Sequence, residues 1–481
     1  MDDGMDAKSK KSLNAAFWYI ITNFISKTFL YICTPLYTRL LTTVEYGEYS
    51  NFLSWQNILI TLFTFDLGAA VGIAYYDYEE EYKFEGFINT ISILSYIIPG
   101  FFCIILLFFG DFFSGIFTIK KEYFNILLIY ICFNNTLNIF QAEQRVRLKY
   151  KLSAILTLGT SIATVACTLF FVFIFQDKLQ GILWGGVLVN AIVSLTIAIR
   201  IWARSNDLKK EYVKYALRVA VPLIPHVLAG TILGTSDKVM ITKYCGEEYT
   251  ALYSLAYTLS LFITMVASSI NKAWSPWFFD RLKYNKHEYI KPISNMIVSI
   301  IAAGSFLVCL MAPDILLIIG GKAYQAAAVV IPPVIISCFI NCVSTFYINI
   351  EFYSKKTMGI SIATVISAGI NVVLNYILIK MFGYIAAAYT TLFSACLTLL
   401  FHLYKVKKQN MMDVFDNRFM ILTILVFASV SELSILFYKI ATVRYVLLSL
   451  LLVAFMILSH RKKDQLTVIF RNMRVIKEEK K

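Results

Sequence analysis

The sequence predicts an all-α, polytopic membrane protein with about fourteen transmembrane helices. Of the 481 residues, 58% are hydrophobic and only 15% are charged, whereas about one quarter of the residues of a typical soluble domain are charged. The mean hydropathy is +0.68. These values exclude a soluble enzyme, a disordered scaffold and a small secreted disulfide domain. The apolar residues are numerous enough for about fourteen membrane helices of ~20 residues each.

Apolar segments of spanning length recur along the whole chain and justify each predicted helix in turn. They lie near residues 14–37, 49–75, 87–109, 123–141, 153–175, 181–201, 217–237, 250–270, 292–312, 327–349, 359–380, 383–403, 419–438 and 442–459. The first segment is too long for the core of a signal peptide, and no small-residue cleavage site follows it. We therefore expect it to remain as the first span.

The distribution of basic residues predicts the orientation. With the N-terminus inside, the inner segments carry 32 Lys and Arg residues and the outer turns carry 10. Such an excess is typical of cytoplasmic loops, so both termini are predicted to be cytoplasmic. The net charge of +14 is explained in the same way, and a nucleic-acid partner is not expected.

Nothing in the sequence predicts a catalytic domain, a metal site or a cofactor. The nine cysteines form no CxxC pair, and they lie almost entirely within apolar segments, as small buried fillers do. The segment Gly320–Ala323 lacks the earlier glycine and the Ser/Thr of a Walker A motif. All predicted connections are short, so we do not expect an enzyme.

Polar side chains recur on single faces of four predicted spans. They are Asn23, Ser26, Lys27, Tyr31 and Thr34 in the first span, Asn134, Asn138 and Gln141 in the fourth, Ser260, Thr264, Ser268 and Asn271 in the eighth, and Thr364, Asn371 and Asn375 in the eleventh. Such residues can hold helices together. Four faces and a mid-span lysine favour a polar cavity within the membrane.

Four ionisable residues within predicted spans are candidates for function. Lys27 lies too deep to reach the interface easily, and Arg218 begins the seventh span. A structural ion pair for Lys27 and an interfacial position for Arg218 are the alternatives. Asp66 and His226 are candidates for ion coupling. Asp66 could equally be a protonated, packed residue, and a histidine in the position of His226 is more often a hydrogen-bonded packing residue than a proton carrier. Pro225 predicts a kink beside His226.

Two similar segments suggest an internal duplication. Glu45–Ser50 follows the first span and Tyr249–Ser254 follows the seventh, 204 residues later. An offset of six spans predicts parallel repeats related by an axis along the membrane normal, as in several transporters.

Three motifs resemble those of the polysaccharide biosynthesis (O-antigen and capsule) flippase family. They are Pro35–Leu41 followed by Glu45–Ser50, Ser236–Ile241 followed by Ala251–Tyr257, and Gly320–Ala327. The family usually has glycine at the position of Ala251. The resemblance implies the MATE-like fold of the multidrug, oligosaccharidyl-lipid and polysaccharide exporter superfamily. Two six-helix lobes would cover residues 1–205 and 206–410, and two further helices with a basic tail would cover 411–481.

The resemblance also implies a function. The protein would move an undecaprenyl-diphosphate-linked oligosaccharide from the inner to the outer leaflet of a bacterial cell membrane by alternating access coupled to an ion. We assign substrate binding to Lys27, Arg39, Arg218, Asn23, Tyr31 and Asn371, and ion coupling to Asp66, His226 and Asp237. Expected partners are the lipid-linked oligosaccharide, the bilayer, and a polysaccharide polymerase with its export machinery.

Two other functions remain open. A multidrug or small-solute antiporter of the same superfamily would need carboxylates for cationic substrates, and this chain has one deep carboxylate against two intramembrane cations. A membrane polysaccharide polymerase would need catalytic groups on a sizeable outer loop. Accumulation of lipid-linked sugar in a deletion strain would favour the flippase, and a polymer-length defect without accumulation would favour the polymerase.

The orientation can be tested with a single introduced cysteine near Asn206, in a background without native cysteines. The segment Arg200–Tyr215 carries five basic residues, so this loop should face the cytoplasm. An impermeant thiol reagent should label the new cysteine only in inside-out vesicles. Labelling in intact cells would contradict the predicted orientation.

Overall fold

The structure, a computed structural model, describes residues 33–284 and 289–461 together with Ile25. In these residues all regular secondary structure is helical, and twelve helices are long and apolar enough to cross a membrane. These twelve helices coincide with the twelve predicted windows that run from 49–75 to 419–438. The predicted all-α polytopic fold is therefore confirmed. The window 14–37 lies mainly outside the described residues, so the count of fourteen stays a prediction.

The helices are numbered in chain order. The first ten are α1 (residues 33–40), α2 (Thr43–Thr64), α3 (Gly68–Asp77), α4 (Glu81–Phe108), α5 (Gly110–Phe117), α6 (Lys121–Val146), α7 (Tyr150–Ile174), α8 (Lys178–Trp202), α9 (Lys210–Ala220) and α10 (Ile224–Cys245). The others are α11 (Glu247–Lys283), α12 (Ile290–Leu310), α13 (Ala312–Ile319), α14 (Ile331–Tyr353), α15 (Met358–Phe382), α16 (Ile385–Lys408), α17 (Asn417–Leu433) and α18 (Ala441–Arg461). Short 3₁₀ helices cover Val221–Leu223, Lys322–Val330, Met412–Val414 and Ser434–Phe437.

The chain divides into two compact units. Unit 1 comprises Met1–Ser254 and Asn375–Tyr384, and unit 2 comprises Leu255–Leu374 and Ile385–Lys481. Helices α11 and α15 therefore contribute residues to both. The predicted lobe boundaries after residues 205 and 410 stay a prediction.

Each unit is organised around a few closely packed helices. In unit 1, α8 packs against α6 and α7, and α2 packs against α6 and α10. In unit 2, α14 is largely buried and packs against α12, α16 and α17. Near the end of α14, Glu351 Oε1 lies 2.5 Å from His402 Nδ1 of α16, and both side chains are buried. Pairing of this kind offsets part of the cost of burying ionisable groups in a membrane protein.

Two predicted spans contain an interruption of the α-helix. Phe65 and Asp66 have positive φ angles of 53° and 45°, so α2 ends and α3 begins within one membrane span. The second interruption is the 3₁₀ turn Val221–Leu223 between α9 and α10. Pro225 lies in the first turn of α10, where its missing N–H costs nothing. The 3₁₀ turn therefore lies directly before Pro225, and the kink predicted at Pro225 stays a prediction.

Glycines in the first and third motifs permit close packing. A Cβ atom on Gly47 would lie 1.8 Å from the backbone carbonyl oxygen of Glu247, so only glycine allows α2 to approach the start of α11 within unit 1. In unit 2, a Cβ atom on Gly320 would lie 2.6 Å from the side chain of Leu255. The next residue, Gly321, has a φ of 77° and begins the 3₁₀ helix. These motif residues serve the architecture.

Replacing Gly47 with alanine tests the close approach. The added methyl group clashes with backbone that cannot rotate away, so Gly47→Ala should destabilise the protein by at least the ~1–3 kcal/mol typical of overpacking. Thermal unfolding of the purified protein in detergent measures this. Gly72→Ala is the matched control, because its Cβ atom meets nothing within 4 Å, and it should be neutral or stabilising. Equal unfolding temperatures for the two variants would contradict the packing argument.

Candidate functional site

A polar cavity of about 350 Å³ lies within unit 1 and is called the unit 1 cavity here. Residues of α1, α2, α6, α7 and α8 line it. Its amide and phenol side chains are Gln56, Asn134, Asn190, Tyr37, Tyr49 and Tyr130. A wall of hydroxyl groups comes from α7, through Thr160, Ser161, Thr164 and Thr168. No charged residue is among the described residues that line this cavity.

The polar face predicted in the fourth span only partly faces this cavity. Asn134 lines it and accepts a hydrogen bond of 3.4 Å from Asn190 Nδ2. Gln141 instead donates to Thr157 Oγ1 at 3.3 Å, and Asn138 is exposed one turn further along α6, outside the cavity lining. Gln56 and Asn190 were not among the predicted candidates. Neither belongs to a polar face that the sequence analysis identified.

A second polar cavity, of about 290 Å³, lies within unit 2 and is called the unit 2 cavity here. Its polar lining consists of Thr264, Ser268, Asn271, Lys272, Asn341 and Thr345. The polar face predicted in the eighth span therefore lines a cavity through Thr264, Ser268 and Asn271. Asn349 Nδ2 donates to Asn271 Oδ1 at 2.8 Å, which fixes the orientation of that amide.

Lys272 is the cation that the sequence analysis missed. The predicted window ended at residue 270, which placed Lys272 in a loop, but α11 continues to Lys283. Lys272 therefore lies within a helix and lines the unit 2 cavity, and no carboxylate is among the described lining residues. An ammonium group in such surroundings can bind an anion through charge-assisted hydrogen bonds.

Several predicted site residues are not brought together. Asn23, Lys27 and Tyr31 lie outside the described residues. Arg39 is exposed at the end of α1, two residues after the cavity-lining Tyr37. Asn371 is fully buried in unit 2 and donates to Thr391 Oγ1 at 3.4 Å.

The break between α9 and α10 is flanked by two of the predicted residues. Arg218 is exposed in the last turn of α9, and His226 lies in the first turn of α10. The Nδ1 atom of His226 is buried and has no hydrogen-bond partner among the described residues. A ring nitrogen in this situation can form a hydrogen bond with a ligand.

Asp66 lies at the other break. Its φ angle is positive, which a short polar side chain tolerates better than most, and its carboxylate is exposed between α2 and α3. The charged residue that interacts with it electrostatically is Arg145, near the end of α6. The sequence indicated only that Asp66 lies deep within a span. The structure adds that Asp66 lies at a helix break.

Asp237 is held by two hydrogen bonds within unit 1. Its carboxylate accepts from Tyr253 Oη at 2.5 Å and from Asn375 Nδ2 at 2.6 Å, and all three side chains are buried. Asn375 comes from α15, far along the chain, so the sequence could not indicate this partner. A buried carboxylate at the meeting point of three helices is suited to binding a proton or a small cation.

Solved structures with this fold are membrane transporters and flippases. The structure matches a lipid II flippase, MurJ, in an inward closed conformation with a TM-score of 0.68 at 13% identity, covering 89% of this chain and 99% of that chain. It also matches an inward-facing multidrug resistance MATE family transporter of the MOP superfamily with a TM-score of 0.64 at 14% identity. This match covers 80% of this chain and 96% of that chain. The chain therefore shares the fold of these two solved proteins.

The sequence comparisons identify the family. Residues 12–282 match the family model described as polysaccharide biosynthesis protein. The chain is also 20% identical over 358 residues to protein 1 of the Lsg locus of Haemophilus influenzae, covering 73% of this chain and 86% of that protein. The chain belongs to the polysaccharide biosynthesis protein family.

Proposed function

We propose that this protein is a flippase that moves an undecaprenyl-diphosphate-linked oligosaccharide from the inner to the outer leaflet by alternating access. The family and the transporter fold support a transport function. The observation that carries the proposal is Lys272, a cation in a polar cavity of a membrane-spanning unit, without a carboxylate among the described residues around it.

The chemistry of the substrate matches that cavity. A diphosphate cannot cross hydrocarbon unaided, because removing its charges from water is very costly. Lysine provides three donors for phosphate oxygens, and the amides of Asn271 and Asn341 supply neutral donors beside it. The prenyl chain can remain in the surrounding lipid during transport.

The remaining predicted substrate contacts belong to the same proposal. Lys27, with Asn23 and Tyr31 on the same helix face, would contact the diphosphate from the first span. Arg39 and Arg218 are exposed and would attract the anion from the ends of their helices. Asn371 is fully buried and would reach substrate only if α15 and α16 rearrange during transport.

Three residues are proposed to couple transport to an ion gradient. Asp66 and His226 lie beside the two helix breaks, where a small change in backbone angle can reorient a whole helical segment. Asp237 is held by Tyr253 and Asn375. Binding of a proton or cation at Asp237 would alter the hydrogen bonds between these helices.

A multidrug or small-solute antiporter is the second candidate function. The exposed carboxylate of Asp66 at a helix break favours it, since cationic substrates need an anionic partner. The cation in the unit 2 cavity favours an anionic substrate. Accumulation of lipid-linked oligosaccharide in a deletion strain separates the two functions.

The cellular setting is part of the proposal. The protein would lie in the cell membrane of a bacterium with both termini in the cytoplasm, and it would act with a polysaccharide polymerase and export machinery. Connections between spans are short throughout the described part of the chain, and we propose transport without catalysis.

The proposal predicts that neutralising Lys272 impairs flipping. A charge-assisted hydrogen bond is worth roughly 1.5–3 kcal/mol, so Lys272→Gln should weaken binding of the lipid-linked oligosaccharide about tenfold or more, while Lys272→Arg should retain most activity. Reconstituted proteoliposomes with a fluorescent lipid-linked oligosaccharide measure the flipping rate. Lys283→Gln is the control, because Lys283 lies on the same helix outside the cavity.

Lys27→Gln should impair flipping in the same assay, with partial recovery in Lys27→Arg. Normal rates for both Lys272→Gln and Lys27→Gln would remove the role of cations in binding the diphosphate. Absence of any flipping by the wild-type protein would contradict the proposed function itself.

The proposal for Asp66 is tested by Asp66→Asn, which removes the charge and keeps the shape. If Asp66 couples transport to an ion, the variant should flip substrate at a rate that no longer responds to an imposed proton or sodium gradient. The corresponding control is Asp111→Asn, because Asp111 is exposed in α5 and pairs with Lys121. Normal gradient dependence in Asp66→Asn would assign this residue a structural role.

A further inference from the structure

We propose that the unit 1 cavity is a binding subsite for neutral sugar residues of the substrate. This inference rests on the proposed function and deepens it. It assigns carbohydrate recognition to residues of α2, α6, α7 and α8.

The described lining of the unit 1 cavity carries no charged side chain, and this indicates the class of ligand. The described lining residues of the unit 1 cavity include amides, hydroxyls and phenols but no acidic or basic side chain. An anion or cation would therefore lose its hydration without gaining a charged partner. The lining favours a neutral, hydroxyl-rich ligand.

The amides provide the pattern of donors and acceptors that sugar hydroxyls need. A hydroxyl both donates and accepts, and so does a carboxamide. Gln56 has no hydrogen-bond partner among the described residues, and the contact from Asn190 to Asn134 is long at 3.4 Å. The donors of Asn134 and Gln56 are therefore available to a ligand. Thr160 and Ser161 donate to carbonyl groups of their own helix, which leaves their oxygens as acceptors.

The tyrosines provide the apolar part of the site. Tyr37 and Tyr49 pack edge to face, with ring centroids 5.7 Å apart, and Tyr130 contributes a third ring to the lining. Sugar rings carry C–H groups on their faces, which pack well against aromatic rings. Aromatic surface combined with a few fixed polar groups is the usual composition of a specific small-molecule site.

The size of the cavity indicates a subsite. Its volume of about 350 Å³ lies at the lower end of the ~300–1,000 Å³ of typical ligand pockets. It can hold a small part of an oligosaccharide, so we infer that it recognises one or two sugar residues. A site that hydrogen-bonds particular hydroxyls also rejects analogues that lack them, and this cavity would contribute to the choice of oligosaccharide.

The test compares two probes on the full-length protein in nanodiscs. One probe is the lipid-linked oligosaccharide extracted from the producing cells, and the other is undecaprenyl diphosphate without sugar. The variants are Gln56→Met and Asn134→Leu, which replace each amide with an apolar side chain of similar size. The controls are Asn57→Leu and Asn138→Leu, because these amides are on the same helices and exposed outside the cavity.

We expect each cavity variant to bind the lipid-linked oligosaccharide roughly tenfold more weakly, since each loses a hydrogen bond and leaves a sugar hydroxyl unpaired. Binding of undecaprenyl diphosphate should change less than about twofold, and the control variants should resemble the wild type with both probes. Unchanged thermal unfolding would confirm that the variants are folded.

Three results would overturn the sugar subsite. They are unchanged oligosaccharide binding in both cavity variants, an equal loss of affinity for both probes, and a wild-type protein that binds the two probes equally. In each case Lys272 can still bind the diphosphate, so the proposed function survives. A wild-type protein that binds neither probe and flips neither would overturn the proposed function and the subsite together.

Discussion

Hydrocarbon offers no hydrogen bonds to a polypeptide backbone, and this constraint governs the architecture described here. A span must satisfy its N–H and C=O groups internally, so the chain forms long helices joined by short turns. Interruptions of a helix are costly in this setting. The two breaks, at Phe65–Leu67 and Val221–Leu223, both lie beside ionisable residues. At such breaks the backbone loses helical hydrogen bonds, and membrane transporters use broken helices where they bind a ligand or move.

The same constraint explains the difference between the two cavities. Each polar group inside a span costs free energy unless it is paired, so polar groups that line a cavity within a span are candidates for binding a ligand. The unit 1 cavity presents amides and phenols without charge, and the unit 2 cavity presents Lys272. A lipid-linked oligosaccharide combines neutral sugars with a charged diphosphate. The described lining of the unit 1 cavity matches the sugars in chemistry, and the ammonium group of Lys272 matches the diphosphate.

The motifs that reveal the family are mainly features of packing. Gly47 allows α2 to touch the start of α11, Gly320 makes room for Leu255, and Gly321 adopts a positive φ angle. Asp237 is the motif residue with chemistry beyond packing, through its bonds to Tyr253 and Asn375. The family match therefore reports how the helices are assembled. The recognition of a particular substrate depends on residues outside the motifs.

The sequence by itself determined the fold class and the positions of the twelve described spans, because hydropathy is a property of consecutive residues. It also marked Asn134 and the face of Thr264, Ser268 and Asn271 that lines the unit 2 cavity. The tertiary structure decided which faces meet. Gln56 carries no pattern in the sequence, and Lys272 lay beyond the predicted end of its helix, so both became candidates only when distant helices were packed together.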